Sequence, residues 1–245
     1  MTFSTTRLDR RSLMIGAGAG AAALAAAGRA APARAAAEQM GLMRPSIYRF
    51  KRGAFEVTTI LDGAIQLDGP HPIFGQNVTQ EDVAALAEEN FLPATRMEIP
   101  FTVTVVNTGD AVILFDAGNG ARRRPSAGRL LALLGEAGLS AGDIDHVVLT
   151  HFHGDHIGGL MEDGAPAFPN ADYITNAAEY DFWSDEDLLF DDAMVDRAQL
   201  VQDNVVPLAE KMRMISPGDA VVSGIEAIDA SGHTPGHTAF HLESE

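Results

Sequence analysis

The sequence predicts an α/β fold in which sheets are covered by helices. Strand-like segments come first in pairs and then alternate with helical segments, an order that is typical of sheets packed against helices. The chain has 245 residues, 46% of them hydrophobic, which is enough for a domain with a substantial core. It contains no cysteine, so any bound metal must be held by nitrogen and oxygen ligands.

Residues 1–35 have the layout of a signal peptide of the twin-arginine type. Arg10 and Arg11 precede a Gly/Ala-rich apolar run at residues 13–28, and small-residue cleavage sites follow it. The run is shorter than the roughly 20 residues that a spanning helix needs, which disfavours the alternative of a membrane anchor. We therefore expect an exported protein, periplasmic or secreted, with the signal removed and no stable membrane anchor.

The charge of the remaining chain excludes some partners. Residues 36–245 carry 12 basic and 33 acidic side chains, a net charge of −21. A surface this negative repels phosphate backbones, so nucleic acid is disfavoured as a substrate. The plainest interpretation of the charge is solubility. It does not determine the oligomeric state, and a homodimer is compatible with it.

The first elements are predicted from alternation and turn residues. Residues 36–50 are expected to form a linker, followed by the domain of residues 51–245. The segment FEVTTILDGAIQL alternates and is interrupted at Asp62-Gly63, which predicts a hairpin.

A helix and a second strand pair come next. Thr79 is a predicted N-cap with Asp82 as its acidic partner three positions later. The apolar face of this helix is formed by Val83, Leu86 and Ala87. Residues 101–118 then predict two strands that turn at residues 108–110.

The second half of the chain alternates helices and strands. Residues 128–140 predict an amphipathic helix that ends near Gly138. Residues 144–149 predict a buried strand, because that apolar run is short and rich in β-branched residues. Residues 171–183 predict a strand and the start of a helix. Residues 186–212 predict an acidic, mainly helical stretch, and residues 223–245 a strand, a turn and another strand.

The stretch THFHGDHIGG directly follows the predicted buried strand and holds three of the eight histidines. His151 and His153 lie two positions apart, so on an extended backbone both face the same way and can chelate one cation. Asp155 and His156 follow a glycine, where the chain can turn back over the same cavity. Four ligands exceed the three that catalytic zinc usually takes, which favours two metals about 3.5–4 Å apart that share a hydroxide. The alternative is a cluster of structural or surface histidines.

A second histidine group, in SGHTPGHTAFH, lies at a later strand–turn–strand junction. Pro235 and Gly236 force the turn and leave His237 where its side chain can reach a cleft, so His237 is predicted to complete one metal. His233 is expected to support a ligand without binding metal itself. His241 is expected to be an ordinary strand residue.

The two motifs H-x-H-x-D-H and T-P-G-H together resemble those of the metallo-β-lactamase superfamily of metal-dependent hydrolases. The likeness runs from about residue 47 to the end of the chain. The segments GGLM, AFPNA and DFW resemble the branch that contains methyl parathion hydrolase and lactonase-like enzymes. The resemblance implies an αβ/βα sandwich of four layers, whose second half is incomplete in this chain.

The resemblance also implies a ligand set. By position, His151, His153 and His237 match the ligands of one metal, and Asp155 and His156 match ligands of the other, with Asp155 able to accept a proton. Nitrogen and oxygen ligation suits zinc best, with manganese, iron and cobalt as alternatives.

Further residues match positions around the metals. Asp116, in LFDAG, matches an aspartate that orients a ligand histidine; the alternative is a turn-forming aspartate. Trp183 matches an aromatic at the mouth of the substrate pocket; the alternative is a tryptophan buried under a helix. Arg123, with Arg122 and Arg124, replaces a hydrophobic or aromatic residue, which disfavours organophosphates. These arginines either attract an anionic substrate or belong to a solvated loop.

The implied function is a dinuclear hydrolase in which a metal-bound hydroxide cleaves esters, lactones or phosphotriesters. The family's bridging aspartate and last metal histidine have no counterpart here, so we expect residues 51–245 to be part of a longer hydrolase domain. Three alternatives stay open. They are a β-lactamase with a histidine/aspartate site, a glyoxalase-II-like thioesterase, and a non-catalytic metal-binding protein or inactive fragment.

Overall fold

A computed structural model describes residues 44–245, so the predicted signal peptide and the start of the predicted linker lie outside the described residues. In this range the strands are β1 (Ile47–Arg52), β2 (Phe55–Leu67), β3 (Met97–Asn107), β4 (Val112–Phe115), β5 (His146–Val148), β6 (Met161–Glu162), β7 (Ala165–Pro166), β8 (Asp172–Asn176), β9 (Met212–Ile215), β10 (Ala220–Val222), β11 (Ile225–Asp229) and β12 (Thr238–Leu242). The α-helices are α1 (Gln80–Glu89), α2 (Leu130–Glu136), α3 (Gly154–Ile157), α4 (Ala177–Trp183) and α5 (Val195–Asn204). None of the described helices has the length and apolar character needed to cross a bilayer.

The largest sheet has seven strands in the order β1-β2-β3-β4-β5-β8-β9. Strands β1 to β4 pair antiparallel, whereas β4, β5, β8 and β9 pair parallel. The carboxyl ends of β4, β5 and β8 therefore meet at one edge of the sheet, where loops can present side chains to a ligand. Strands β10, β11 and β12 form a second, antiparallel sheet.

Both faces of the large sheet are covered. One buried cluster joins one face to helices α2 and α5, and a second cluster joins the other face to the three-stranded sheet. Strand β5 shows how the sequence supports this: Val147 faces the helical side, Val148 the second sheet, and the following Leu149 the helical side again. All three are fully buried, so the predicted buried strand is confirmed. The mixed sheet with helices matches the fold that the resemblance implies.

Helix α1 begins as predicted. The Thr79 side chain accepts a hydrogen bond from the Asp82 backbone N–H, and the Asp82 carboxylate accepts one from the Thr79 N–H. Two backbone donors that the first turn leaves unpaired are thereby satisfied. The predicted apolar face is correct only in part, because Ala87 is buried but Leu86 is 61% exposed.

Two predictions from the sequence, the end of the linker and a hairpin, are wrong. The linker ends earlier than residue 50, since β1 begins at Ile47 and pairs with β2 along its whole length. The segment around Asp62-Gly63 is not a hairpin, because β2 runs without a turn through both residues and pairs with β3 on either side. The register shifts between Leu61 and Gly63, which identifies a β-bulge with Asp62 as the extra residue.

The bulge turns Asp62 into the interior, where it is fully buried. Its carboxylate accepts hydrogen bonds of 2.8–3.0 Å from the backbone N–H groups of Asn119, Gly128 and Leu130 and from the Asn119 side-chain amide. Gly63 lets the same loop approach, since a Cβ there would lie 2.3 Å from the Ala127 Cα. A buried side chain of β2 thus holds the loop that follows β4.

We predict that Asp62→Asn destabilises the protein by about 2–4 kcal/mol, because an amide N–H₂ would then face backbone donors that have no other acceptor. Urea unfolding followed by circular dichroism would measure the loss. The control is Asp110→Asn in the exposed β3–β4 turn, which should leave the midpoint unchanged. Equal midpoints for Asp62→Asn and the wild-type protein would contradict the role given to this carboxylate.

Candidate metal centre

The site is assembled where β4 and β5 end and β12 begins. Thr150 follows β5, and its N–H donates to the Asp116 carboxylate at 2.8 Å. The Thr238 N–H donates to the Thr150 carbonyl at 3.0 Å, which ties the second histidine loop to the first. Asp116, directly after β4, has a left-handed backbone with φ of 61°. Backbone strain at a non-glycine residue is a recurring feature of functional sites.

Three histidines converge in the first part of the site. The His233 Nε2 atom lies 3.2 Å from the His151 Nε2 atom and 3.0 Å from the His153 Nδ1 atom. The possible ligand atoms of all three lie within 4.8 Å of one another. Three nitrogens at such spacing form a donor set that a zinc-like cation can occupy.

The second histidine loop differs from the prediction in detail. His233, expected only to support a ligand, is the residue that contacts both His151 and His153. His237 lies alongside, with its ring centroid 4.7 Å from that of His151 and 5.5 Å from that of His233. Both histidines therefore reach the site. His241 is exposed on β12, as expected for an ordinary strand residue.

The second part of the site consists of Asp155 and His156 on α3. The Asp116 carboxylate contacts the His156 Nδ1 atom at 2.8 Å, the contact that the resemblance implied. The His156 Nε2 atom lies 3.2 Å from the Asp155 carboxylate. Because Asp116 occupies Nδ1, the histidine presents Nε2 beside an oxygen donor, and the two atoms can share one cation.

The two parts of the site have opposite electrostatics. Burial, followed by the neighbouring His156 and His153, lowers the pKa of His151 to about 2. Burial, followed by His233, lowers the pKa of His153 to about 4. Burial opposes the charge of His156 as well, but hydrogen bonds with Asp116 and Asp155 outweigh it and raise the pKa to about 10. At neutral pH the first two histidines are therefore neutral, with lone pairs available for a cation.

Asp155 is ionised at neutral pH. Burial acts to raise its pKa, but the hydrogen bond and the charge of His156 outweigh burial and lower the pKa to about 2. A carboxylate beside His156 and the three clustered histidines is the oxygen donor that a divalent cation needs. The donor set as a whole therefore fits a divalent metal.

Trp183 is only 3% exposed and belongs to the core. Its ring centroid lies 6.0 Å from that of His153 and 5.0 Å from that of Phe182. The prediction of an aromatic at an open pocket mouth is wrong for this arrangement, because the core packing of α4 covers the indole. Trp183 is instead the buried tryptophan of the alternative interpretation, and its ring packs edge-on against that of His153.

The three arginines have different surroundings. Arg124 donates two hydrogen bonds to the Glu162 carboxylate. The Arg123 guanidinium carbon lies 5.5 Å from the centroid of the Phe101 ring, within cation–π distance. Arg122 and Arg123 line a cavity of about 180 Å³ that Gly154, the first residue of α3, also lines. The arginines therefore border the metal-binding loop, although both are exposed.

A larger cavity lies elsewhere in the described part of the chain. It has a volume of about 790 Å³, and its lining includes Phe74, Leu92 and Met97. None of its lining residues belongs to the histidine cluster, and its size alone does not identify it as the functional site.

Two site residues were missed by the sequence analysis. The Thr150 hydroxyl lies 3.0 Å from both the Asp116 carboxylate and the His151 Nδ1 atom, so it orients His151 with Nε2 towards the cluster. Its place directly before the first histidine was the available signal. Glu179 is fully buried on α4 and binds both histidine loops. An acidic residue in a first helical turn is ordinary, so the sequence held no signal for that role.

Comparison with known proteins found a matching family model and several relatives. The model of the metallo-beta-lactamase superfamily matches residues 100–245, which contain every histidine of the cluster. An N-acyl homoserine lactonase of Bacillus thuringiensis subsp. kurstaki is 26% identical over 117 residues, 48% of this chain and 40% of its own length. A probable metallo-hydrolase of Mycobacterium tuberculosis is 27% identical over 168 residues, 58% of this chain and 52% of its own length. The matches thus span about half of these relatives or less.

Two solved structures are similar to this chain over most of its length. The dizinc quorum-quenching lactonase AidC, in complex with N-hexanoyl-L-homoserine as its product, is 26% identical with a TM-score of 0.69. The alignment covers 81% of this chain and 71% of that one. The hydrolase AbOPH, of the beta lactamase superfamily, is 23% identical with a TM-score of 0.72 over 83% of this chain and 72% of its own. This second likeness supports the fold alone.

We predict that the combined contribution of His151 and His156 to the free energy of unfolding of the metal-free protein is largest near pH 6.5. Below about 6.5, the usual pKa, the unfolded chain protonates His151 while the folded state does not, so stability falls as the pH decreases. The stability that the protonated His156 contributes is complete below about pH 6.5 and is lost as the pH rises towards its folded-state pKa of about 10.

Nitrogen-15 NMR of the histidine rings in the metal-free protein would test this directly. We expect the rings of His151 and His153 to stay neutral in mild acid and the ring of His156 to stay protonated in mild base. Assignment follows from His151→Gln, which should remove one of the neutral signals, and from His156→Gln, which should remove the protonated one. Two rings that both titrate near pH 6.5 would refute the electrostatic contrast.

Proposed function

The chain belongs to the metallo-beta-lactamase superfamily, and from this premise we propose that it is a metal-dependent hydrolase of lactones. The observation that carries the proposal is the pair of donor groups at the carboxyl edge of the large sheet. His151, His153 and the second histidine loop form one group, and Asp155 and His156 form the other. The donors come from the segment that follows β5, including α3, and from the loop that precedes β12.

We propose a dinuclear site, with one divalent cation in each donor group and zinc as the preferred metal. Nitrogen and carboxylate ligands suit zinc, and a dizinc lactonase is among the similar structures. When bound, the cations would supply Lewis-acid activation of a water molecule and of the substrate oxygen. His237 is the proposed third ligand of the first group, and His233 lies close enough to compete for the same place.

The residues of the chain have distinct tasks in this proposal. Thr150 holds His151 by its Nδ1 atom, and Asp116 holds His156 in the same way, so both histidines present Nε2. Asp155 remains ionised at neutral pH because of its hydrogen bond with His156. Its carboxylate can therefore accept a proton during turnover.

Lactones are the favoured substrate class because the similar proteins include N-acyl homoserine lactonases, with residue identities of 26–27%. Arg122 and Arg123 line a cavity beside α3 where the carboxylate formed from a lactone would be attracted, although β-lactams and thioesters release a carboxylate as well. Phosphotriesters, β-lactams and thioesters are the competing substrates that the test must include.

We predict that the double variant His151→Ala/His153→Ala loses the zinc of the first donor group and hydrolyses lactones only at the background rate, because that group keeps no ligand from the first histidine loop. Metal content by mass spectrometry and hydrolysis of an N-acyl homoserine lactone would measure both effects. The control is His241→Ala on exposed β12, which should retain two metals and full activity. Zinc content and turnover that survive the double substitution would overturn the proposed function.

Substrate class needs its own measurement. We expect the wild-type protein to hydrolyse an N-acyl homoserine lactone faster than a phosphotriester, a β-lactam or a thioester. A higher kcat/KM for any of these three would keep the metal-dependent hydrolase and reject the lactone assignment.

We predict that Asp116→Asn lowers the affinity of the second cation by about 10–100-fold, because the amide no longer fixes His156 as a ligand. Chelator competition, which separates the two cations by affinity, would show the loss in one of them only. Asp145→Asn, at an exposed position before β5, removes the same charge and should leave both affinities unchanged. An unchanged second affinity in Asp116→Asn would count against its role.

A further inference from the structure

We infer that Glu179 is a positioning residue that holds the two histidine loops at a fixed separation. One oxygen of its carboxylate accepts a hydrogen bond from the Phe152 N–H at 2.8 Å, between the two histidines of the first loop. The other oxygen accepts from the Thr234 hydroxyl and the Gly236 N–H, each at 2.8 Å. A single side chain therefore bridges the loops that carry His151/His153 and His233/His237, and the inference rests on the proposed metal site.

The environment of Glu179 favours a bridge over an ordinary ion pair. The side chain is fully buried, and none of the ion pairs between described residues includes it. Three donors from two loops satisfy its oxygens instead. A buried carboxylate is costly to desolvate unless it is hydrogen-bonded, so the folded chain holds both loops against it.

The backbone at Gly236 provides independent support for the bridge. A Cβ at Gly236 would lie 2.2 Å from the Glu179 backbone nitrogen and 2.6 Å from its Cα atom. Only glycine allows the second histidine loop to lie directly on the start of α4. This close approach brings the Gly236 N–H within reach of the carboxylate.

The bridge lies one residue from a proposed ligand on each side. Phe152 separates His151 from His153, and Gly236 immediately precedes His237. Another tie, between the Thr238 N–H and the Thr150 carbonyl, lies on the far side of His237. Loss of the carboxylate would leave the second loop attached at one end, and the nitrogens of the two loops would no longer be held at ligand spacing.

The test uses cobalt(II) as a spectroscopic probe of the metal site. Four-coordinate cobalt absorbs visible light more strongly than six-coordinate cobalt, so the spectrum reports the loss of a protein ligand. We expect Glu179→Gln to weaken cobalt binding about 10–100-fold and to change the spectrum in the same direction as His237→Ala. The matched control is Asp181→Asn, an exposed carboxylate on the same helix, which should behave as the wild-type protein.

A second substitution separates reach from charge. Glu179→Asp keeps the charge but is one methylene shorter, so it cannot contact both loops at once. We expect cobalt binding to be weakened in this variant too, whereas wild-type binding would show that only the charge matters and would overturn the bridge. Thr234→Val removes one donor from the bridge with little change in shape, and should weaken binding less than Glu179→Gln does.

Stability must be separated from positioning. Urea unfolding of the metal-free variants measures the contribution of Glu179 to folding. If Glu179→Gln lowered the unfolding midpoint but left cobalt affinity and spectrum unchanged, the residue would be structural only and the inference would be wrong. If the glutamine variant does not fold, Thr234→Val and Glu179→Asp decide the matter in its place.

Hydrogen exchange distinguishes this inference from the proposed function. The Phe152 and Gly236 amides should exchange faster in Glu179→Gln than in the wild-type protein, and not faster in Asp181→Asn. If the wild-type protein bound no metal, the proposed function would fail, yet these amides would still report the bridge. Exchange that is unaffected by Glu179→Gln would overturn the bridge whatever the metal content.

Discussion

Buried carboxylates that bind loop amides are the interaction on which the rest of the structure depends. Asp62 holds the loop after β4, Asp116 holds the start of the H-x-H segment, and Glu179 joins that segment to the second histidine loop. Loops carry many unpaired N–H groups, and an ionised carboxylate is a strong acceptor for several at once. The donor atoms of the metal site are therefore placed by charges outside the ligand set.

The same carboxylates shape the electrostatics of the site. The His151 ring has Thr150 and His233 as its hydrogen-bond partners, and burial keeps it neutral. His156 instead lies between Asp116 and Asp155 and keeps its proton without a metal. A cation that binds between Asp155 and His156 must displace that proton, whereas His151 and His153 are already neutral. Two histidines of one short motif thus differ in protonation state. The cause is that His156 contacts two carboxylates, whereas His151 is buried among other histidines.

Local patterns predicted much of the fold because they depend on neighbouring residues. The capping box of α1 and the buried strand β5 follow from spacing along the chain, and both agree with the structure. Asp62-Gly63 was misjudged because a turn dipeptide and a β-bulge share the same residues, and only pairing with β3 separates them. The sequence left two environments open for Trp183, the mouth of a pocket and the core, and the packing of the folded chain places it in the core.

The sequence by itself determined which atoms are available: histidine nitrogens and carboxylate oxygens, no thiolates, and two motifs that indicate the superfamily. Spacing within H-x-H-x-D-H was enough to place these residues at the end of one strand. Only the tertiary structure decided that His233 contacts the first two histidines and that Glu179 joins the loops, since these residues are 82 and 27 positions from their partners. Contacts at such separation depend on the register of β8 and β12 against their neighbours, which no local pattern encodes.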